Sequence, residues 1–170
     1  MSVTATTPIE DAIGRVRELV GSVVDGLSTD ELAAAPAPGA NTIGWLVWHL
    51  TRVQDGHVSE MLDEQQLYLS AGFARSLGLP EDPNDSGWGH TAEQVAAVRI
   101  ADPAALVAYH DAVADRSLVA LGELDPSELD RVVDDAWDPP VTASVRWVSV
   151  VSDCLQHIGQ AAYVRGLLGR

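Results

Sequence analysis

The 170-residue chain has a formal net charge of −15, ten arginines but no lysine, one cysteine and five tryptophans. A single cysteine excludes an internal disulfide and any cysteine-rich metal cluster, and so acidic a surface repels phosphate, which excludes nucleic acid and anionic lipid as partners. With 46% hydrophobic and 21% charged residues the composition is globular, and residues 1–170 are expected to form one domain.

Met1–Ile9 is polar, with neither a basic start nor an apolar core like that of a secretory signal. The first helix follows from Thr7-Pro8-Ile9-Glu10: a threonine cap, proline at the first helical position and glutamate three residues after the cap. Ile9, Ile13, Val16, Val20, Val23 and Leu27 then recur at helical spacing, giving a helix over about 8–27. A loop rich in alanine and proline leads on to Gly39, with one short turn at Thr29–Ala34.

Asn41 is the expected cap of a second helix over about 42–64. Ile43, Leu46, Val47, Leu50, Val53, His57, Val58 and Met61 form one stripe, and Trp45 and Trp48 fall on other sides. A helix apolar nearly all round is a buried one. Neither Ile43–Leu50 nor Val145–Leu155 is long enough to span a bilayer, and His49, Arg146 and Asp153 interrupt them. No membrane partner is expected, and a reducing, cytoplasmic setting is.

Residues 65–90 break the pattern. Tyr68–Leu79 has room for a short helix, and Pro80 to Gly89 is loop chemistry with Trp88 at its tip, placed to line a pocket. Thr91–Ile100 reads as a further short helix. Asp102-Pro103 opens a third long helix to about Glu123, and a fourth runs from about Thr142 to Leu168, where Gly169 stops it. Arg131-Val132-Val133 is the only β-like triplet and is too short to count as a strand. The fold class is therefore all-α: a four-helix bundle with a long loop and short helix between helices two and three.

The chemistry-bearing feature is Asp153-Cys154-Leu155-Gln156-His157. Asp153 and His157 lie one helical turn apart, the spacing at which one helix offers two ligands to one ion. A hydrogen-bonded or solvated pair is the plainer reading of those two residues alone. The second helix offers His49 and His57, about 12 Å apart along its axis, so one ion takes only one of them. Periodicity does not choose between them. His90 reads as a turn residue or rim contact, His110 as solvated, and Cys154 as a buried, inert thiol. Arg52, Arg146 and Arg165 are candidates to meet a carboxylate, although any surface helix carries such arginines. No glycine-rich phosphate loop or nucleophile-elbow serine is present.

Asn41-Thr42-Ile43-Gly44-Trp45-Leu46-Val47-Trp48-His49-Leu50 resembles the second-helix signature of the DinB-like superfamily, and Asp153-Cys154-Leu155-Gln156-His157-Ile158-Gly159-Gln160 resembles its last-helix signature. That superfamily includes mycothiol-dependent maleylpyruvate isomerase and bacillithiol S-transferases. The resemblance implies a divalent ion, zinc or nickel, held by His49, Asp153 and His157. Many relatives have histidine where this chain has Asp153, and the maleylpyruvate isomerase branch has a carboxylate. Gln160 is placed to orient a ligand from outside the coordination shell. The implied activity is S-transfer or isomerisation, with a small-molecule thiol and an electrophilic substrate as partners. The lysine-free composition suits a GC-rich, actinobacterial source, which makes mycothiol the expected cosubstrate. A metal-dependent hydrolase and a non-catalytic helical stress-response binding protein are the alternatives, and a homodimer is left open.

Overall fold

The computed structural model describes residues 4–170; of the polar leader, Met1, Ser2 and Val3 lie outside the described residues. In chain order come α1 (Thr7–Val24), α2 (Thr29–Leu32), α3 (Ile43–Leu62), α4 (Leu67–Ser70), α5 (Phe73–Leu77), α6 (Ala92–Ala97) and α7 (Pro103–Glu123). A 3₁₀ turn (Pro126–Asp130), a hairpin of β1 (Val132–Asp134) and β2 (Val141–Thr142), and α8 (Ala143–Leu167) complete it. The four long helices are those the periodicity predicts, and the fold is all-α apart from the hairpin.

Several caps fall one residue from the expected position. Thr42, not Asn41, caps α3, its hydroxyl accepting from the Trp45 N–H at 3.1 Å. Thr7 is already the first helical residue of α1; its hydroxyl accepts from the Thr4 N–H, and Thr6 stands at the cap. The cap predicted at Asp102 is in place, accepting from the Ala104 N–H, and Thr142, expected as the start of the last long helix, is its cap and accepts from Val145. The triplet discounted as a strand does pair: Val132 lies opposite Thr142 and Asp134 opposite Val141 in an antiparallel hairpin that feeds directly into α8.

Cross-helix hydrogen bonds give the chain directions. Thr51 meets His110 and Gln54 meets Ser117, so positions rise together along α3 and α7 and these helices are parallel. Arg165 near the end of α8 donates to the carbonyls of Ser22, Val23 and Asp25 at the end of α1, so α1 and α8 are parallel too. Parallel neighbours need a crossover the length of the bundle. Residues 63–102 supply it between α3 and α7, and its central loop passes over the outer face of α3.

The core has two apolar clusters. The larger holds Leu46, Trp48, Leu50, Leu106, Val150 and Ile158, and the smaller Ile13, Val58, Leu121 and Trp147. Between α3 and α7 runs a buried polar layer of Thr51, Gln54, Asp55, Ser59, His110 and Ser117. Asp55 is fully buried. Its carboxylate accepts from the Leu67 and Tyr68 N–H groups at 3.0 and 2.8 Å and from the Tyr109 hydroxyl at 2.8 Å, and it pairs with Arg116 and Arg52. A buried carboxylate needs such partners, and these fix where the crossover leaves α3. His110 corrects the solvated reading: it is fully buried, its Nδ1–H donating to Thr51.

Candidate metal centre

Helices α3 and α8 pack antiparallel, which brings His49 opposite Asp153 and His157. Each of the three offers a ligand atom, and these atoms all lie within 4.8 Å of one another. Nε2 of His157 stands 3.5 Å from Oδ1 of Asp153, as the one-turn spacing requires. The His49 and His157 rings meet edge to face with centroids 4.6 Å apart. His49 is 3% exposed, while the α8 pair is half-buried and open on its outer side.

Both imidazoles have their other nitrogen occupied. Nδ1 of His49 donates to the Ser86 carbonyl at 2.5 Å, and Nδ1 of His157 donates to Oε1 of Gln160 at 3.1 Å. A proton on each Nδ1 leaves each Nε2 as a bare lone pair, the form that ligates a metal. Burial pushes the His49 pKa down and keeps the ring neutral. The Trp45 indole stacks on His49, centroids 4.7 Å apart and planes 11° from parallel, and walls one side of the site.

Electrostatics can be met in two ways. Asp153 holds His157 above its usual pKa, so a proton on Nε2 would make an ion pair. That proton satisfies one carboxylate oxygen only. Oδ2 of Asp153 is buried without a hydrogen-bond partner among the described residues, and an orphaned buried carboxylate oxygen costs several kcal/mol at order of magnitude. A divalent cation answers Oδ2 and both bare nitrogens together. Two neutral imidazoles and one carboxylate are also a donor set that zinc sites use with a position left open.

The remaining sequence candidates sort differently. His57 lies two turns along α3 from His49, is about one-third exposed, and faces Glu60 at 3.6 Å. It lines a cleft of about 310 Å³ with Val53, Gly56, Glu60, Gln66 and Ser86. Cys154 is buried as expected, and burial drives its thiol pKa far above the usual range. Trp88 is 87% exposed and does not face the site; its neighbour Gly87 does.

Each of the three candidate arginines has protein partners among the described residues. Arg52 is 1% exposed and donates to the carbonyls of Asp82, Pro83 and Asp85. Arg146 pairs with Asp134 at 2.6 Å, and Arg165 closes the end of α1. The sequence reading missed Ser86: a backbone carbonyl has no signature, and the only available signal was a long loop in the crossover.

The model of the family described as mycothiol S-transferase matches residues 9–169. No curated protein matches the chain. Among solved structures, the crystal structure of a conserved protein from Enterococcus faecalis is similar at 30% identity with a TM-score of 0.91, covering 99% of this chain and 100% of that one. Among the described residues no helix is long and apolar enough to cross a membrane. With the family model spanning all four long helices and both signature segments, the chain belongs to the mycothiol S-transferase family of the DinB-like superfamily.

Proposed function

We propose that His49, Asp153 and His157 hold one divalent cation, zinc or nickel, and that the protein is a cytoplasmic S-transferase or isomerase using a small thiol, with mycothiol as cosubstrate. The observation that carries this reading is the convergence of three ligand atoms within 4.8 Å around a buried carboxylate oxygen that has no hydrogen-bond partner among the described residues. A cation held there supplies the positive charge that favours the thiolate form of a small thiol, whose unperturbed pKa is about 8.5.

The chain's own groups do the rest. Ser86 and Gln160 fix the two imidazoles, Asp153 contributes the negative charge of the ligand set, and Trp45 keeps water from one flank. The cleft beside Ser86 offers the body of the thiol or its acceptor a polar wall in Gln66 and Glu60 and an apolar one in Val53. The thiol gives up its proton to solvent, and the sulfur forms a bond to an electrophilic carbon while a leaving group departs with its electron pair. In isomerisation the sulfur instead adds to a double bond and leaves after rotation.

The test uses protein purified without a histidine tag. Elemental analysis is expected to find stoichiometric divalent metal, lost in His49→Ala, Asp153→Ala and His157→Ala with helical content unchanged. A panel of thiols against a generic electrophile is expected to show metal-dependent turnover, fastest with mycothiol. Metal retained in all three variants refutes the ligand set. Turnover that proceeds equally without thiol assigns the nucleophile to water and makes the protein a hydrolase.

A further inference from the structure

The loop that supplies the Ser86 carbonyl is held by a closed circuit of hydrogen bonds and stacking that returns to His49. Oδ1 of Asp85 accepts from the Gly87 N–H at 3.0 Å and from Nε2 of His90 at 2.9 Å. Nδ1 of His90 accepts from the Trp45 indole N–H at 3.2 Å, which requires that nitrogen to be bare and puts the single proton on Nε2. Trp45 in turn stacks on His49. With the Asp85 carbonyl also accepting from Nε of Arg52 at 3.1 Å, the segment Asp85–His90 is tied at both ends to α3, the helix that carries His49.

Gly87 sets how close the loop comes. Its φ of +87° lies in the left-handed region, and a Cβ there would sit 2.9 Å from the Trp48 ring and 3.1 Å from both the Trp45 ring and Nδ1 of His49. Only glycine lets the backbone lie against the imidazole. The Ser86 carbonyl depends on that approach to reach Nδ1. His90 is well covered, with a side chain 11% exposed and its ring stacked on Trp48 at 6.0 Å.

We propose that Asp85, Gly87 and His90 are positioning residues for His49: they hold the Ser86 carbonyl on Nδ1, lock the Nδ1–H tautomer, and so present Nε2 to the point shared with Asp153 and His157. The proposal rests on the metal reading above, with the tautomer as a consequence that metal-free protein also shows. Hydrogen-bonded partners that orient a metal-binding histidine typically contribute about 10–100-fold in metal affinity. Asp85 stands one step further out, since its effect passes through Gly87, Ser86 and His90.

The experiment has two readouts on full-length protein. Long-range ¹H–¹⁵N imidazole spectra of the metal-free chain report the His49 tautomer, and competition with a chelating dye reports zinc affinity. Wild type is expected to show His49 as the Nδ1–H tautomer. Asp85→Ala and His90→Phe are expected to release it to a mixture and to weaken zinc about 10-fold, the low end of that range, with the native circular dichroism spectrum kept. Asp85→Asn, whose amide oxygen still accepts from Gly87 and His90, is expected to stay within about threefold of wild type. If Asp85→Ala fails to fold, His90→Phe and Gly87→Ala carry the same comparison. Variants that keep both the tautomer and the affinity of wild type overturn the proposal while leaving the ligand set intact. A wild type that binds no zinc yet shows a locked tautomer released in the variants overturns the metal reading and leaves the positioning role standing.

Discussion

Replacing Asp55 by alanine is expected to be the most damaging single change in the polar layer. The side chain is fully buried between guanidinium groups of Arg52, 1% exposed, and Arg116, 13% exposed. Removing one member of a buried ion pair costs about 3–5 kcal/mol, because the partner charge is left in a poor solvent. Here two guanidinium groups lose their anion, and the Leu67 and Tyr68 N–H groups lose their acceptor. Each donor left unsatisfied adds about 1 kcal/mol or more. Some relief comes from water entering beside Arg116. A total near 5 kcal/mol follows, comparable with the whole stability of a marginal domain and equivalent to a fall in Tm of about 10–20 °C at this length. Urea unfolding followed by circular dichroism measures it. In a double-mutant cycle with Arg116→Ala the two losses are expected to fall short of additivity by about 1 kcal/mol or more. An Asp55→Ala loss below about 1 kcal/mol would refute the reasoning, since it would mean that water already solvates these charges.

Burial sets three further outcomes. His57→Ala is expected to keep stoichiometric metal by elemental analysis and, the ring being about one-third exposed, to change stability by no more than about 1 kcal/mol. Cys154 is 3% exposed with its thiol pKa raised by burial, so mass spectrometry is expected to find no alkylation by iodoacetamide until urea unfolds the chain. His110 has its pKa lowered by burial to about 4 from 6.5. Its unfolded form therefore takes up a proton that the folded form refuses, and stability falls as pH drops from about 6.5 to 4, by about 3 kcal/mol in all. Urea midpoints are expected to show the wild type losing more than His110→Gln across that window, and a gap that does not change with pH would refute the assignment.

How much of this was legible in the sequence depends on whether the signal was local. The four long helices carry their periodicity and caps within themselves, so they were readable. The caps slipped by one where two capable residues adjoin, as at Asn41-Thr42 and Thr6-Thr7. The hairpin was discounted because neither strand alone exceeds three residues; its partner strand lies across Asp135–Pro140. Chain direction was not legible at all. Loop length alone does not reveal that α3 and α7 run parallel, and that pairing is what buries His110 against Thr51.

The candidate site divides along the same line. Asp153 and His157 are one turn apart on one helix and could be read directly, whereas choosing His49 over His57 took a resemblance, since both lie on α3. The structure supplies the physical reason: antiparallel packing puts His49, not His57, across from His157. The arginines were ambiguous for a related reason. An arginine on a helix reads as a possible contact for a substrate carboxylate, yet Arg52 is a buried clamp whose planar guanidinium binds several carbonyls at once. It grips the very segment that reaches His49. Parallel α3 and α7 oblige the chain to travel back along the bundle, and the route taken lays Ser86 on a histidine 37 residues earlier. The bond that turns Nε2 of His49 toward Asp153 and His157 is thus a consequence of topology, and no window of sequence around His49 contains it.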